Sequence, residues 1–278
     1  MTTQVALITG ASSGIGAEVA RKLKAGGYTV YGVARRTDRL AELEGDGVRT
    51  FAMDVTDDAS IASGVKRVID EAGRIDVLVN SAGYGLLGSV EETPVDDGRH
   101  MFEVNVFGAM RLTQLVTPHM REQRFGRIVN VSSIGGKIYS PLTAYYNGSK
   151  HALEVMSDCL RFELAQFGID VIVIEPAGVQ TEWPKIAADH VERNSGHGPY
   201  ARQAHAVAEG LMRSEDGSRL YVSPEIVADT IVKAVTVGKP KTRYAVGNGA
   251  KAIITLRWLL SDRAFDAVLT RTSGVRRA

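Results

Sequence analysis

The segment around Tyr146 and Lys150 places a phenol and an ammonium four residues apart, and Ser133 precedes Tyr146 by thirteen residues. Positions i and i+4 share one face of a helix, so the Lys150 cation is expected close to the Tyr146 hydroxyl. At an effective dielectric of about 20, a cation about 4 Å away lowers the pKa of a phenol by roughly three units from its usual value near ~10. The spacing therefore predicts a tyrosine that exchanges protons near neutral pH. Taken alone, such a pair is also typical of a solvated helix face.

A glycine-rich segment occupies residues 9–16, after the apolar run 5–8 and before a helical pattern that continues to residue 23. In this order of strand, turn and helix, glycine motifs bind the pyrophosphate of a dinucleotide. The glycines let the backbone approach the pyrophosphate, and the helix N-terminus supplies unpaired N–H groups at a positive dipole end. The two segments together predict one site in which a dinucleotide lies beside a proton donor.

With these motifs in this order, the chain resembles the short-chain dehydrogenase/reductase family from about residue 5 to residue 181. Three segments carry the resemblance: T-G-x-x-x-G-x-G at Thr9, Gly10, Gly14 and Gly16, N-N-A-G at 80–83 with Ser81 as a departure, and P-G-x-V-x-T at 176–181 with Ala177 as a departure. The resemblance implies a catalytic tetrad of Asn105, Ser133, Tyr146 and Lys150.

The implied reaction is hydride transfer between a nicotinamide and a carbonyl or secondary alcohol carbon. Tyr146 would exchange the proton, and Ser133 would hydrogen-bond the substrate oxygen. Lys150 would also bind the nicotinamide ribose, and Asn105 would position a water that relays protons from Lys150. The expected cofactor-binding residues are Gly10, Ser12, Ser13, Gly14, Ile15, Gly16, Arg35, Arg36, Asp54, Val55, Asn80, Ala82, Gly83, Tyr146, Lys150, Pro176, Gly178, Val179 and Thr181.

The end of the second predicted strand indicates which dinucleotide is used. Ala34 stands where NAD-preferring relatives carry an acid that binds the ribose hydroxyls and repels a 2′-phosphate. Arg35 and Arg36 follow, and a guanidinium binds a phosphate through two parallel hydrogen bonds. We therefore expect NADP rather than NAD.

Apolar runs alternate with helical patterns along the chain, which is typical of an α/β Rossmann fold, a doubly wound parallel sheet in a three-layer αβα sandwich. Ligands bind at the carboxyl ends of such strands, where Gly10, Asn80, Ser133 and Pro176 fall. About seven strands are predicted, near residues 4–9, 28–34, 49–53, 75–80, 127–132, 170–175 and 243–247.

The length of 278 residues, with 44% hydrophobic and 23% charged residues, predicts a single domain over 1–278. A net charge of +1 argues against a nucleic-acid partner. A single cysteine, Cys159, forms no intrachain disulfide and is expected in a buried apolar role, which suits a reducing compartment. Because the first strand begins within about four residues, we expect no targeting segment and a cytoplasmic protein.

Two segments depart from the alternating pattern. Residues 181–222 are polar and irregular, as expected of a substrate lid, and their histidines at 190, 197 and 205 fit no metal-site spacing, so we predict no metal and solvated loop histidines. The C-terminal extension, about 248–278, contains an apolar stretch that is too short to span a membrane. It is expected to pack on its own domain or on a partner subunit; peripheral contact with a bilayer is the alternative, with Arg276 and Arg277 nearby.

The expected substrate is a lipophilic ketone or alcohol, and the resemblance extends to the hydroxysteroid and retinol dehydrogenase-like members. Two alternatives are a catalytically inactive dinucleotide-binding regulatory protein and an epimerase or dehydratase. The family also implies a homodimer, formed by long helices near 99–123 and 143–165, with Met101, Leu112, Leu115 and Val116 on the apolar side. The residues expected to line the substrate pocket are Tyr84, Leu86, Leu87, Ile134, Tyr139, Leu142 and Trp183.

Overall fold

The computed structural model describes residues 3–213 and 221–272. Seven strands of this part of the chain form a parallel sheet, and two short strands pair separately. The strands are β1 Val5–Thr9, β2 Thr29–Ala34, β3 Arg49–Ala52, β4 Val77–Asn80, β5 Gly126–Val131, β6 Ile169–Pro176, β7 Gly178–Val179, β8 Tyr221–Val222 and β9 Arg243–Val246. The main sheet has the order β3-β2-β1-β4-β5-β6-β9, and β7 pairs with β8. The seven predicted strands and the doubly wound α/β fold are confirmed; the pairing of β7 with β8 was not predicted.

Helices cover both faces of the sheet. Along β1, Ala6 and Ile8 pack in one apolar cluster, whereas Val5 and Leu7 pack in another, because successive side chains of a strand point to opposite faces. The predicted three-layer arrangement follows. The helices are α1 Gly14–Ala25, α2 Ala41–Gly45, α3 Asp58–Ala72, α4 Val95–Phe102, α5 Gly108–Gln123, α6 Ala144–Ala165, α7 Trp183–Ser195, α8 Ala201–Met212, α9 Pro224–Thr236, α10 Ala250–Leu259 and α11 Asp262–Thr272.

The long helix expected near 99–123 is present, since the chain is helical from 95 to 123, but a π-helical stretch, Glu103–Phe107, was not predicted and separates α4 from α5. It holds Asn105 in a buried position, where the side-chain amide hydrogen-bonds the backbone of Tyr84. An apolar periodicity does not register such a local widening of the helix, because the pattern on either side of it stays helical.

The expectation of irregular structure at 181–222 is also wrong over its described part. Most of this segment forms α7 and α8, which pack together through Ala187, Val191 and Ala204 and reach Leu87 and Leu142. The segment is polar in sequence because only one stripe of each helix is buried. Residues 214–220 of the predicted lid lie outside the described residues.

The C-terminal extension forms α10 and α11 and packs on its own domain, which is one of the two locations expected for it. The ring of Tyr139 packs edge-on against Phe265 at 5.2 Å, and its hydroxyl donates to Asp266 Oδ1 at 2.9 Å. Among the described residues, no helix has the length and apolar character needed to cross a bilayer. Arg276 and Arg277 lie outside the described residues.

Candidate active site

The site lies at the carboxyl edge of the sheet, where β1 has β2 on one side and β4 on the other. This is the switch point at which the loops after neighbouring strands diverge and leave a crevice. Gly10 has a φ of +67°, and a Cβ there would meet the backbone of Ala82 at 2.9 Å. A Cβ on Gly16 would lie 2.5 Å from the carbonyl oxygen of Gly10. The backbone is therefore packed too closely for any side chain at these two positions, as a dinucleotide cradle requires.

The crevice opens into a cavity of about 1010 Å³. Gly16, Asp54, Asn80 and Asn105 are not among its lining residues. Asn80 instead donates to Asn130 Oδ1 at 2.8 Å and so links β4 to β5. The predicted site residues that do line the cavity are Gly10, Ser12, Ser13, Gly14, Ile15, Arg35, Arg36, Val55, Ala82, Gly83, Ser133, Tyr146, Lys150, Pro176, Gly178, Val179 and Thr181.

Ser133 follows β5 and caps a one-turn helix, because its Oγ accepts the N–H of Gly135 at 3.0 Å. Burial raises the pKa of Tyr146 to about 12, while a hydrogen bond with Ser133 acts in the opposite direction. The expectation of a lowered phenol pKa is therefore wrong for this structure. Desolvation disfavours the phenolate more strongly than its polar neighbour favours it. The phenol keeps its proton at neutral pH.

Lys150 lies one helical turn after Tyr146 on α6 and is buried. Its ammonium donates to the carbonyl oxygen of Val131 at 2.9 Å, at the carboxyl end of β5. Burial lowers the pKa of Lys150 to about 8, against an opposing attraction by Glu154. The lysine thus holds a proton that it can release close to neutral pH.

Asn105 and Lys150 both reach the space next to the α-carbon of Gly83, where a side chain would otherwise lie. A Cβ at Gly83 would lie 3.0 Å from Asn105 Oδ1 and 3.6 Å from Lys150 Nζ. The Asn105 amide accepts the N–H of Tyr84 and donates to the Tyr84 carbonyl oxygen and to Ser149 Oγ, each at 3.1 Å. Its side chain therefore joins the loop after β4 to α6, and its role in a water relay remains a prediction.

The end of the crevice that is expected to bind the cofactor phosphates contains the N-terminus of α1, which has no side-chain cap. Ser13 is the N-cap of α1 but its side chain makes no capping hydrogen bond. Arg36 Nη2 lies 3.5 Å from Ser12 Oγ and from Ser13 Oγ. Backbone N–H groups, hydroxyls and a guanidinium are the donors that a phosphate needs, so these residues fit a dinucleotide.

The sequence analysis missed two residues near this end of the crevice: Glu182 lines the cavity, and Arg39 lies in an adjoining pocket together with Ser12, Ser13 and Gly14. Arg39 and Glu182 form an ion pair with a shortest separation of 2.7 Å. Three arginines within five positions, at 35, 36 and 39, gave a signal for Arg39. Nothing in the sequence indicated Glu182, because it reaches this place only through the fold.

At the substrate end, Tyr84, Leu86, Leu87, Ile134 and Trp183 line the cavity as predicted. The ring centroids of Trp183 and Tyr146 are 5.1 Å apart, so the indole borders the proposed proton donor. The prediction is wrong for two residues that do not line the cavity. Tyr139 packs on Phe265, and Leu142 is buried in the cluster with α7 and α8.

Three further expectations concerned histidine, metal and cysteine. His190 is not a solvated loop residue, because it lies on α7 and its Nδ1 is 2.7 Å from the Gly85 carbonyl oxygen. In the described ranges, no three His, Cys, Asp or Glu side chains are grouped as metal ligands would be. Cys159 is exposed on α6, so its expected burial is wrong. The helical pattern around it did not reveal which face it occupies.

Comparisons with known proteins agree with this geometry. A family model described as short chain dehydrogenase matches residues 4–191. A probable short-chain type dehydrogenase/reductase, VdlC of Helicobacter pylori, is 34% identical, with 95% of this chain and 96% of that protein covered. The 3-ketodihydrosphingosine reductase of Bacteroides thetaiotaomicron is 34% identical, with 89% of each covered. The NADPH-dependent 3-dehydrocapnine reductase of Ornithobacterium rhinotracheale is 31% identical, with 95% of each covered.

Two solved structures are also similar. A short-chain dehydrogenase from Streptomyces avermitilis has a TM-score of 0.81 and 33% identity, with 99% of this chain and 97% of that chain covered. A variant of actinorhodin polyketide ketoreductase, solved with NADPH, has a TM-score of 0.77 and 32% identity, with 89% and 97% covered.

Proposed function

Because the chain belongs to the short-chain dehydrogenase/reductase family, we propose that it transfers a hydride between NADP(H) and a carbonyl or secondary alcohol carbon, with Tyr146 as general acid and base. One observation carries the proposal. Ser133, Tyr146 and Lys150 line the same cavity of about 1010 Å³ as the glycine-rich segment. A proton donor and a dinucleotide cradle therefore face one space.

In the proposed reaction, side chains of the protein transfer the proton. The nicotinamide, when bound, supplies or accepts the hydride. In the reductive direction Tyr146 gives its proton to the substrate oxygen, and its pKa of about 12 keeps that proton in place at neutral pH. Ser133 holds the same oxygen by a hydrogen bond as negative charge develops there. Lys150, with a pKa of about 8, returns a proton to the tyrosine.

The preference for NADP rests on the end of β2 and on the relatives. Ala34 provides no carboxylate to repel a 2′-phosphate, and Arg35 and Arg36 follow it at the cavity. A similar ketoreductase was solved with NADPH, and a relative is named as NADPH-dependent. Both observations support NADP(H) as the cofactor.

A lipophilic ketone is the proposed substrate class. The substrate end of the cavity adds apolar side chains to those predicted, namely Ile138, Pro184, Ile186, Val207 and Leu211. Such a lining favours apolar substrate surface. Two relatives are named as reductases of 3-ketodihydrosphingosine and 3-dehydrocapnine, and these names support a ketone at the third carbon of a long-chain substrate.

The test is a panel of ketones, from short methyl ketones to 3-ketodihydrosphingosine, supplied with NADPH or NADH while the absorbance of the reduced nicotinamide is followed. We expect turnover that increases with alkyl chain length and is faster with NADPH. Tight NADPH binding without turnover across the panel would instead indicate a cofactor-binding protein that has lost catalysis.

A further inference from the structure

An ion pair connects the phosphate end of the crevice to the start of α7. Arg39 Nη1 lies 2.7 Å from Oε1 and 2.8 Å from Oε2 of Glu182. Arg36 Nη1 lies 3.6 Å from Glu182 Oε2. The guanidinium groups of Arg36 and Arg39, which follow β2, therefore share the Glu182 carboxylate. Glu182 lies 143 positions beyond Arg39 in the sequence.

The shared carboxylate lies beside the glycine-rich segment. The second terminal nitrogen of Arg36 faces Ser12 and Ser13, so one guanidinium contacts both the glycine-rich segment and Glu182. Thr181, the residue before Glu182, has its Cγ2 3.0 Å from the position that a Cβ on Gly14 would occupy. Glu182 is thus placed where an anion on the adenosine end of the cofactor would meet the same two arginines.

We propose that Glu182 competes with the 2′-phosphate of NADP(H) for Arg36 and Arg39. Arg39 is then a specificity-determining residue, and cofactor binding is coupled to the position of α7. The inference rests on the proposed use of NADP(H). A carboxylate and a phosphate both accept paired N–H groups of a guanidinium. A phosphate monoester carries a charge of about −1.5 to −2 and therefore displaces a single carboxylate from these arginines.

When Glu182 is released from the arginines, the effect is transmitted to the catalytic end of the cavity by Trp183, the next residue in the sequence. Trp183 follows Glu182 directly, begins α7, and packs its ring 5.1 Å from that of Tyr146. The Thr181 hydroxyl accepts the Trp183 N–H at 3.2 Å, so these three residues move as one short segment. The phosphate on one end of the cofactor thereby changes the contacts of the indole that borders the proton donor.

The direct test uses a pair of ligands without a nicotinamide, adenosine 2′,5′-bisphosphate and AMP, which differ only in the 2′-phosphate. Binding to the full chain is measured by titration calorimetry. We expect Arg39→Ala to weaken bisphosphate binding by about tenfold or more and to leave AMP binding unchanged. We expect Glu182→Gln to strengthen bisphosphate binding by about two- to fivefold, the range of an exposed ion pair.

A matched control removes a charge of the same sign from α7, the helix that Glu182 directly precedes. Asp189 on α7 pairs with Lys185 at 3.3 Å within that helix, so Asp189→Asn should leave bisphosphate affinity unchanged. In the Arg39→Ala background, the gain from Glu182→Gln should shrink, because the carboxylate has lost its stronger partner.

A second readout follows the indole itself. The chain has two tryptophans, and Trp258 is 83% exposed on α10, so Trp258→Phe leaves Trp183 as the fluorescent reporter. The bisphosphate should change Trp183 emission in this background more than AMP does. The change should largely disappear when Glu182→Gln is added, because the ion pair is already broken.

The outcomes separate this inference from the proposed function. A wild-type protein that binds the bisphosphate no better than AMP would overturn both. A wild-type preference for the bisphosphate that is the same in Glu182→Gln and Asp189→Asn would overturn the competition by Glu182 alone. An unchanged preference in Arg39→Ala would overturn the role of Arg39.

Discussion

Lys150 is buried and Tyr146 is half-buried at the cavity, and desolvation moves the pKa of each towards its neutral form. The pKa of the phenol rises to about 12, and that of the ammonium falls to about 8. In the proposed reaction, these pKa shifts would keep the Tyr146 phenol protonated near neutral pH and would let Lys150, one helical turn further along α6, exchange a proton there.

Replacing Tyr146 by Phe should lower turnover by about 10²- to 10⁴-fold, because it removes the proton donor, while NADPH affinity stays nearly intact. Stopped-flow binding and steady-state rates measure the two effects. Tyr145→Phe is the matched control, since the Tyr145 ring packs against Gly98 on α4. The assignment is wrong if Tyr145→Phe is the variant that loses turnover.

The pH profile of reduction should report Lys150. Its pKa of about 8 lies below the usual lysine value, so the ammonium is present below that pH and lost above it. We expect the rate of ketone reduction to fall as pH rises through about 8, because Tyr146 is no longer reprotonated by a cation. The measurement is kcat at saturating NADPH between pH 6 and 10. A rate that stays constant to pH 9.5 would contradict this role.

At the residue scale, the sequence named three proposed catalytic residues that line one cavity in the structure, but it did not predict their ionisation. Motif order was enough to name Ser133, Tyr146 and Lys150, because their types and spacing determine the chemistry. The pKa of Tyr146 is shifted upwards rather than downwards as expected, because it depends on desolvation by the folded surroundings. These include residues distant in sequence, such as Trp183, which lies 37 positions beyond Tyr146. Arg39 and Glu182 meet for the same reason, through a long-range contact.

At the scale of elements, a buried charge network joins α6, β6 and β9. Arg243 Nε lies 3.0 Å from Glu154 and 3.4 Å from Glu175, and Lys137 lies 2.9 Å from Glu154. Glu175 Oε1 has no hydrogen-bond partner. Burial raises the pKa of Glu175 to about 7, with a further contribution from the charge of Glu154. Arg243 also pairs with Asp158 at 2.7 Å, so Glu175, at 3.4 Å, is the most weakly compensated of the three carboxylates around this guanidinium.

The Glu175→Gln variant should be more stable than the wild type at high pH, and the difference in stability should grow as pH rises. Between about pH 4.5 and pH 7 the unfolded chain has lost the Glu175 proton while the folded chain retains it, so wild-type stability falls through that window. The neutral amide removes this loss. We expect equal melting temperatures near pH 4.5 and a gain of about 2–4 °C at pH 8, equivalent to about 1 kcal/mol.

The control for this prediction is Glu163→Gln, which removes an exposed carboxylate from α6, the helix that carries Glu154. It should shift the melting temperature little at any pH. A Glu175→Gln variant that is less stable than wild type at pH 8 would show that the Arg243 pairing outweighs the burial of the charge.

Elements were predictable where the pattern is local. Strands such as β4 and β6 are covered by helices on both faces and carry nearly continuous apolar runs, so the sequence alone places them. The π-helical stretch around Asn105 and the helical pair α7 and α8 were not predictable in this way. Their conformations depend on partners elsewhere in the chain, Tyr84 for the first and Leu87 and Leu142 for the second.

For the whole molecule, the surface expected to form a homodimer needs correction. Met101, Leu112 and Val116 are fully buried in the protomer itself, so they are not available to a partner. The long helices expose other apolar side chains. Val155 and Phe162, seven residues apart on one face of α6, are 59% and 76% exposed. A homodimer through α6 remains our prediction, with these side chains at its centre.

Phe162→Glu should convert the dimer into a monomer, because it places a charge in the apolar centre of the α6 surface of both protomers. Light scattering after size exclusion at micromolar concentration should change from about twice 29.9 kDa to 29.9 kDa. Trp258→Glu is the control, since Trp258 is exposed on α10, and α10 and α11 follow the edge strand β9 where a second interface would form. It should leave the dimer intact if these helices block that edge. A wild-type mass near four times 29.9 kDa that falls to a dimer in Trp258→Glu would instead place a second interface on α10.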